Sequence, residues 1–214
     1  MAACRKPSSR FFTTAVLFEG GLGAVAVCLA GWLDVPLLAT IWSRASQGRE
    51  AAAAVALGIL AAAPMFAGLI ALDRWAIGPI RELKNILDAY LVPIFSCMTT
   101  GELLVISLIA GVGEEMLFRG FLQTCLATWI GEPYGLILAL VVASLTFGAC
   151  HWLTTTYAAL ATLVGLYLGV VFYGSGNLLV PVVAHAVYDF AALMYLVKSQ
   201  RALPDASEPS QVQE

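Results

Sequence analysis

Residues 113–120 read GEEMLFRG, between LLVISLIAGV at 103–112 and FLQTCLATWI at 121–130. Two adjacent carboxylates, Glu114 and Glu115, and one guanidinium, Arg119, thus stand inside a run that otherwise suits lipid. A formal charge at the centre of a bilayer costs roughly 2.5–3.5 kcal/mol on insertion scales. Three on one helix are tolerated only where they face protein or a water-filled cavity. The stretch therefore implies a membrane helix packed among others, with a polar interior. Glu115 and Arg119 are four residues apart and can pair on one helix face. Glu114 lies about 100° round the helix, lacks that partner and is left free for chemistry.

The rest of the chain agrees with a membrane setting. Its 214 residues are 60% hydrophobic and only 12% charged, whereas soluble domains are about 45–50% apolar and about 25% charged. Mean hydropathy is +0.87. The small net charge of -3, without a long basic tract, argues against nucleic-acid binding. Stretches near the 20 or so apolar residues needed to cross a bilayer fall at 11–33, 51–72, about 101–125, 134–153, 157–173 and 181–197. The expected fold is all-α: a polytopic transmembrane helix bundle of about six spans plus one interfacial amphipathic helix. That last helix is read in residues 73–100, where Ile80, Leu83, Ile86, Leu87 and Leu91 repeat at helical spacing among charged residues.

Arg5, Lys6 and Arg10 before an apolar run resemble a signal peptide. The run is too long and contains Glu19, so it reads as a retained first span. Eight cationic residues (Arg5, Lys6, Arg10, Arg74, Arg81, Lys84, Lys198, Arg201) fall on one side of the spans and two (Arg44, Arg49) on the other. This bias puts both termini in the cytoplasm. The five cysteines are scattered without a CxxC, and they read as small apolar residues rather than a disulfide framework or zinc ribbon.

The chain has only two histidines, His151 and His185, and both fall in apolar segments. FGACH spaces Phe147 and His151 by four, and HAVYD spaces His185 and Asp189 by four. Either histidine alone is most simply a hydrogen-bonded core residue. Together with an embedded glutamate pair they form the set that activates water, by general-base action or through a metal. The turn IGEPYG makes the flanking spans an antiparallel hairpin. Glu114 and His151 are each about 18 residues from its centre, so equal helical rise sets them at one depth, toward the cytoplasmic side. His185 fits less simply. It reaches that depth only if YGSGNLLVP (173–181) dips into the membrane, or if the preceding span is short and tilted.

In this order on successive spans, EExxxR (Glu114, Glu115, Arg119), FxxxH (Phe147, His151) and HxxxD (His185, Asp189) resemble the CPBP, or Abi, family. These are bacterial relatives of the type II CAAX prenyl protease. The resemblance covers about residues 101–195, and YGSGNLLVPVVAHAVYD is similar to the matching segment of such proteins. With hydropathy and composition placing the two ends, the chain divides into N-terminal spans with the interfacial helix (1–100), a catalytic core (101–197) and a disordered cytoplasmic tail (198–214).

The resemblance implies an intramembrane endopeptidase in a bacterial cell membrane. Its substrate would be a membrane-associated peptide or protein, of CAAX type or related to bacteriocins and immunity. It implies Glu114 as the base that activates water. His151 and His185 would support that water and the oxyanion, while Glu115 and Arg119 would hold the site together. The last motif position, commonly Asn in the family, is Asp189 here. An ionised Asp cannot donate to an oxyanion, so Asp189 is expected to orient His185 or to bind a metal. If the reaction is metal-dependent, zinc on His151 and His185 is the expected cofactor. Two other readings remain: a transporter or proton relay, and a non-catalytic membrane scaffold.

Overall fold

A computed structural model describes residues 9–37 and 48–201, so the tail beyond residue 201 and the cations Arg5, Lys6 and Arg44 lie outside the described residues. Among the described residues there are helices and no strands. They are α1 (Ser9–Trp32), α2 (Gly48–Arg74), α3 (Pro79–Ser96), α4 (Thr100–Ile130), α5 (Gly135–Cys150), α6 (Thr155–Ser175) and α7 (Leu179–Arg201).

Four helices are long and apolar enough to cross a membrane: α1, α2, α6 and α7. α4 qualifies only together with α3, as a pair bent by 114°, so four or five spans replace the expected six. α4 carries its own embedded charges, which lower its hydropathy. α5 has only 16 residues, about 24 Å at 1.5 Å per residue against a hydrocarbon core of about 30 Å. It ends at Cys150, and His151 caps it. Large side chains such as Leu17, Leu60 and Ile137 are exposed, as expected of surfaces that meet lipid.

Capping residues set the starts of the central helices. Thr99 and Glu102 form a reciprocal capping box that opens α4, with Thr99 N–H donating to the Glu102 carboxylate at 2.8 Å. Thr154 Oγ1 accepts from Tyr157 N–H at 3.0 Å and opens α6. The bend of 114° lays α3 across the bundle. Lys84 of α3 pairs with Asp73 of α2, and the same carboxylate accepts from Tyr195 OH of α7 at 2.7 Å. One acid thus ties three helices together beside the cavity described below.

Close helix contacts fix the middle of α4. A Cβ at Gly111 would lie 2.9 Å from Ala186 of α7, and one at Gly113 would lie 2.0 Å from the Glu19 carbonyl oxygen of α1. Only glycine lets both neighbours approach this closely, the usual device where helices pack in lipid. These two contacts flank the first glutamate of GEEMLFRG on the side toward Thr100.

α7 begins deep in the fold. Leu178, just before it, packs on Gly120, and Ala186 packs on Gly111. The chain therefore turns at the height of Gly120, roughly 15 Å short of the end of α4 at Ile130, taking the helical rise over ten residues. Gly176 adopts φ 58°, and Asn177 Oδ1 accepts from Leu179 N–H at 2.9 Å. Ser175 Oγ accepts from Asn177 N–H at 3.3 Å. Side chains thus satisfy the backbone of a half-buried turn, and Leu178 is fully buried. This early turn lets His185 meet Glu115.

α7 continues as helix to Arg201, so residues 198–201 of the expected tail are helical. The cysteines depart from expectation in part. Cys97 is disulfide-bonded. Cys28 and Cys150 are free but exposed, and only Cys125 is both free and buried.

Candidate active site

The site lies where α4, α5 and α7 meet. After Glu115 the α4 backbone widens into π-type turns over Met116–Gln123, a departure frequent at functional sites. The widened stretch carries Arg119 inward, and Thr124 Oγ1 donates to the Arg119 carbonyl at 2.9 Å. Arg119 is 1% exposed and Glu115 is fully enclosed. Arg119 Nη1 donates to Glu115 Oε1 at 2.8 Å, and Nη2 donates to the Gly165 carbonyl of α6 at 3.1 Å. The pair read from the four-residue spacing is formed.

The same Glu115 oxygen also faces His185. The distance from His185 Nδ1 to Glu115 Oε1 is 2.8 Å, and that from His185 Nε2 to Asp189 Oδ2 is 3.5 Å. A carboxylate therefore stands at each ring nitrogen. His185 is buried, and the contact with Glu115 bridges 70 positions of sequence.

His151 sits where α5 ends. Its Nδ1–H donates to the Phe147 carbonyl at 2.8 Å, since a carbonyl can only accept. This turns Nε2 toward Glu114, with Nε2 to Oε2 at 3.7 Å. The equal-depth arithmetic for Glu114 and His151 matches this meeting. Glu114 is 7% exposed, and its Oε2 has no hydrogen-bond partner.

Phe147 explains why an aromatic stands four residues before the histidine. Its ring stacks on His151 with centroids 4.4 Å apart and meets His185 edge-on at 6.0 Å. The Arg119 guanidinium carbon lies 4.6 Å from the same ring centroid, within cation–π range. One side chain thus spaces both imidazoles and the guanidinium.

All six candidates, Glu114, Glu115, Arg119, His151, His185 and Asp189, therefore gather in one region, in two linked halves. Glu114 and His151 form one half. Glu115, Arg119, His185 and Asp189 form the other. Two residues beyond this set also face it. Glu19 of α1 lies within electrostatic range of Glu114, Asp189, His151 and His185, and its Oε2 is buried without a partner. Tyr157 of α6 stacks edge-on to His151 at 6.2 Å. Glu19 carried the same sequence signal as GEEMLFRG, a charge in an apolar run, but its distance along the chain concealed the connection.

The donors do not fit a zinc ion. Both nitrogens of His185 face carboxylates, and Nδ1 of His151 is held by a carbonyl. His151 Nε2 and the loosely held His185 Nε2 are the nitrogens left, whereas a catalytic zinc takes three protein ligands. Among the described residues no three His, Cys, Asp or Glu side chains are grouped to hold a metal.

A cavity of about 380 Å³ opens on the site, reaching His151 of one half and His185 and Asp189 of the other. His151, His185, Asp189 and Tyr157 wall one end. The remainder is mainly apolar, from α2 and α6, with Lys84 and Asp88 of α3 on its wall. A long apolar chamber ending at imidazoles and carboxylates suits a ligand that is largely apolar with one polar bond to present.

Residues 96–191 match the family described as "Type II CAAX prenyl endopeptidase Rce1-like". The range contains all three motifs and excludes α1 and α2. An uncharacterized protein of Bacillus subtilis (strain 168), YpbD, is 33% identical over 102 residues. That alignment covers 45% of this chain and 46% of YpbD, so the chain spans less than half the length of the curated relative it matches. No solved structure matches.

Proposed function

We propose that this protein is an intramembrane endopeptidase that hydrolyses a peptide bond in a membrane-associated protein or peptide, with Glu114 as the base. The supporting observation is the geometry of Glu114: an almost fully buried carboxylate, one oxygen unpartnered, facing His151 Nε2 at 3.7 Å. Glu115 beside it is committed to Arg119 and His185. The match to the CAAX endopeptidase family makes the same reaction the natural expectation.

In this reading a water donates a hydrogen bond to Glu114 Oε2, beside the imidazole of His151. Glu114 takes the proton as the water oxygen bonds to the substrate carbonyl carbon, and the carbonyl electron pair moves onto oxygen. His185 Nε2–H is loosely held at 3.5 Å from Asp189, and it is the donor that this oxygen meets when the substrate enters from the cavity. Collapse of the tetrahedral intermediate breaks the C–N bond, and the proton on Glu114 passes to the leaving amine. Asp189 acts as the acceptor that orients His185, which removes the difficulty of an Asp where the family commonly has Asn. The apolar cavity accommodates the membrane-embedded part of the substrate, and CAAX-type prenylated peptides are the first class to offer.

The test is cleavage of such a peptide by purified protein in lipid, with Glu114→Gln in parallel and after exhaustive chelation. Loss of a general base lowers the rate by roughly 10²–10⁴-fold, so Glu114→Gln is expected to be inactive while folding normally. Activity of the wild type is expected to survive chelation. Turnover by Glu114→Gln at the wild-type rate would overturn the assignment of the base. Loss on chelation with recovery on zinc would replace the glutamate mechanism by a metal one.

A further inference from the structure

Glu19 belongs to the first helix, outside the matched residues 96–191, and no motif assigns it a role. Its backbone packs closely on α4. The Glu19 carbonyl lies against Gly113, where an added Cβ would come within 2.0 Å of it, so α1 is seated on α4 one residue before Glu114. From there the half-buried Glu19 side chain enters electrostatic range of Glu114 of α4, His185 and Asp189 of α7, and His151 at the end of α5. Its Oε2 is buried and accepts no hydrogen bond, and the same holds for Oε2 of Glu114.

A carboxylate placed in this way weighs against folding until it finds a donor. Burying an unpartnered polar group costs stability, and a charged one more. Arg119, the buried guanidinium of the site, is already committed to Glu115 and the Gly165 carbonyl. Glu19 and Glu114 are both acceptors when ionised, and each needs a donor. A water has two hydrogens and can serve one acceptor with each.

Resting on the hydrolytic reading above, we propose that Glu19 is a positioning residue of the site. Its carboxylate, delivered by the first helix, is the second acceptor that holds the hydrolytic water against Glu114. With one O–H held by each carboxylate, the water oxygen presents its lone pairs to the substrate carbonyl. The first helix then completes a site whose motifs all lie on α4, α5 and α7.

Three variants test this: Glu19→Leu, Glu19→Gln and Glu19→Asp, each measured for kcat, KM and melting temperature beside wild type and Glu114→Gln. Glu19→Leu is expected to melt at or above the wild-type temperature, because it removes an unpartnered buried carboxylate. Its kcat is expected to fall by roughly tenfold or more, the worth of a hydrogen bond to a charged group, with KM unchanged. Glu19→Gln keeps an acceptor oxygen and is expected to recover part of kcat, and Glu19→Asp to recover the charge. Wild-type kcat in Glu19→Leu, in a protein that still requires Glu114, would overturn this inference alone. So would a fall in kcat matched by an equal fall in melting temperature, or no recovery in either conservative variant. A protein whose cleavage does not require Glu114 would overturn the hydrolytic reading and this inference with it.

Discussion

Glu115 is the residue on which the two halves of the site depend, because a single oxygen, Oε1, lies 2.8 Å from both Arg119 Nη1 and His185 Nδ1. Its second oxygen is buried and unpartnered, so the charge is balanced through one atom. Truncating one partner of a buried ion pair costs about 3–5 kcal/mol, and less here because Glu115 keeps His185. Arg119→Ala is therefore expected to melt well below wild type, having also lost the bond to the Gly165 carbonyl. Glu115→Gln keeps an oxygen in place and should melt between the two. Differential scanning fluorimetry in detergent would decide this, and equal melting of Arg119→Ala and wild type would show that the pair does not hold the fold. The pair was legible from spacing alone, because four residues on a helix fix a shared face. Its second partner was not, because His185 approaches from 70 positions away and depends on a turn.

At the scale of elements, that turn and the glycines carry the geometry. α7 starts inside the bundle because Gly176, Asn177 and Ser175 satisfy its backbone there, and His185 is set at the height of Gly111 by its neighbour Ala186. Sequence alone showed a Gly-Ser-Gly-Asn run compatible with such a dip, but it could not choose between a dip and a tilted span. Overpacking a close helix contact typically costs 1–3 kcal/mol. Gly111→Ala places a methyl 2.9 Å from Ala186, so α7 must move away from α4 and take His185 from Glu115. We expect a melting temperature lowered by a few degrees, with about 1 kcal/mol worth roughly 2–4 °C in a protein of this size. Activity is expected to fall further than stability. Wild-type cleavage by Gly111→Ala would mean that the distance between His185 and Glu115 does not control the reaction. The widened turns of α4 at Met116–Gln123 had no sequence signature, because they depend on what packs against Arg119 rather than on local propensity.

The whole molecule joins a polar site on three helices to a chamber built largely by others. Composition made the membrane setting plain, and the motifs marked about residues 101–195, close to the matched 96–191. The chamber was not legible, because its walls come from α2, α3 and α6, whose apolar residues look the same whether they face lipid, protein or a cavity. Asp73 shows the same limit. In sequence it is one charge at the end of a span, but in the fold it receives Lys84 and Tyr195 and anchors α3 beside the chamber.

If this chamber receives the substrate, filling it should block cleavage without disturbing the fold. Gly68 of α2 lines it, and a Cβ there meets nothing within 4 Å. Gly68→Trp would project an indole into a cavity of about 380 Å³, where it occupies space rather than displacing packed atoms. The melting temperature is expected to stay within a degree or two of wild type, since glycine in a helix interior is itself unfavourable by about 1 kcal/mol. KM is expected to rise strongly or cleavage to cease, because the substrate competes with the indole for the chamber. Gly21→Trp on α1, at a position equally open but outside the chamber, is the control and should cleave normally. If Gly68→Trp cleaves with wild-type KM, the peptide reaches Glu114 by another side of the bundle, and the face between α1 and α4 beside Glu19 becomes the entry to probe.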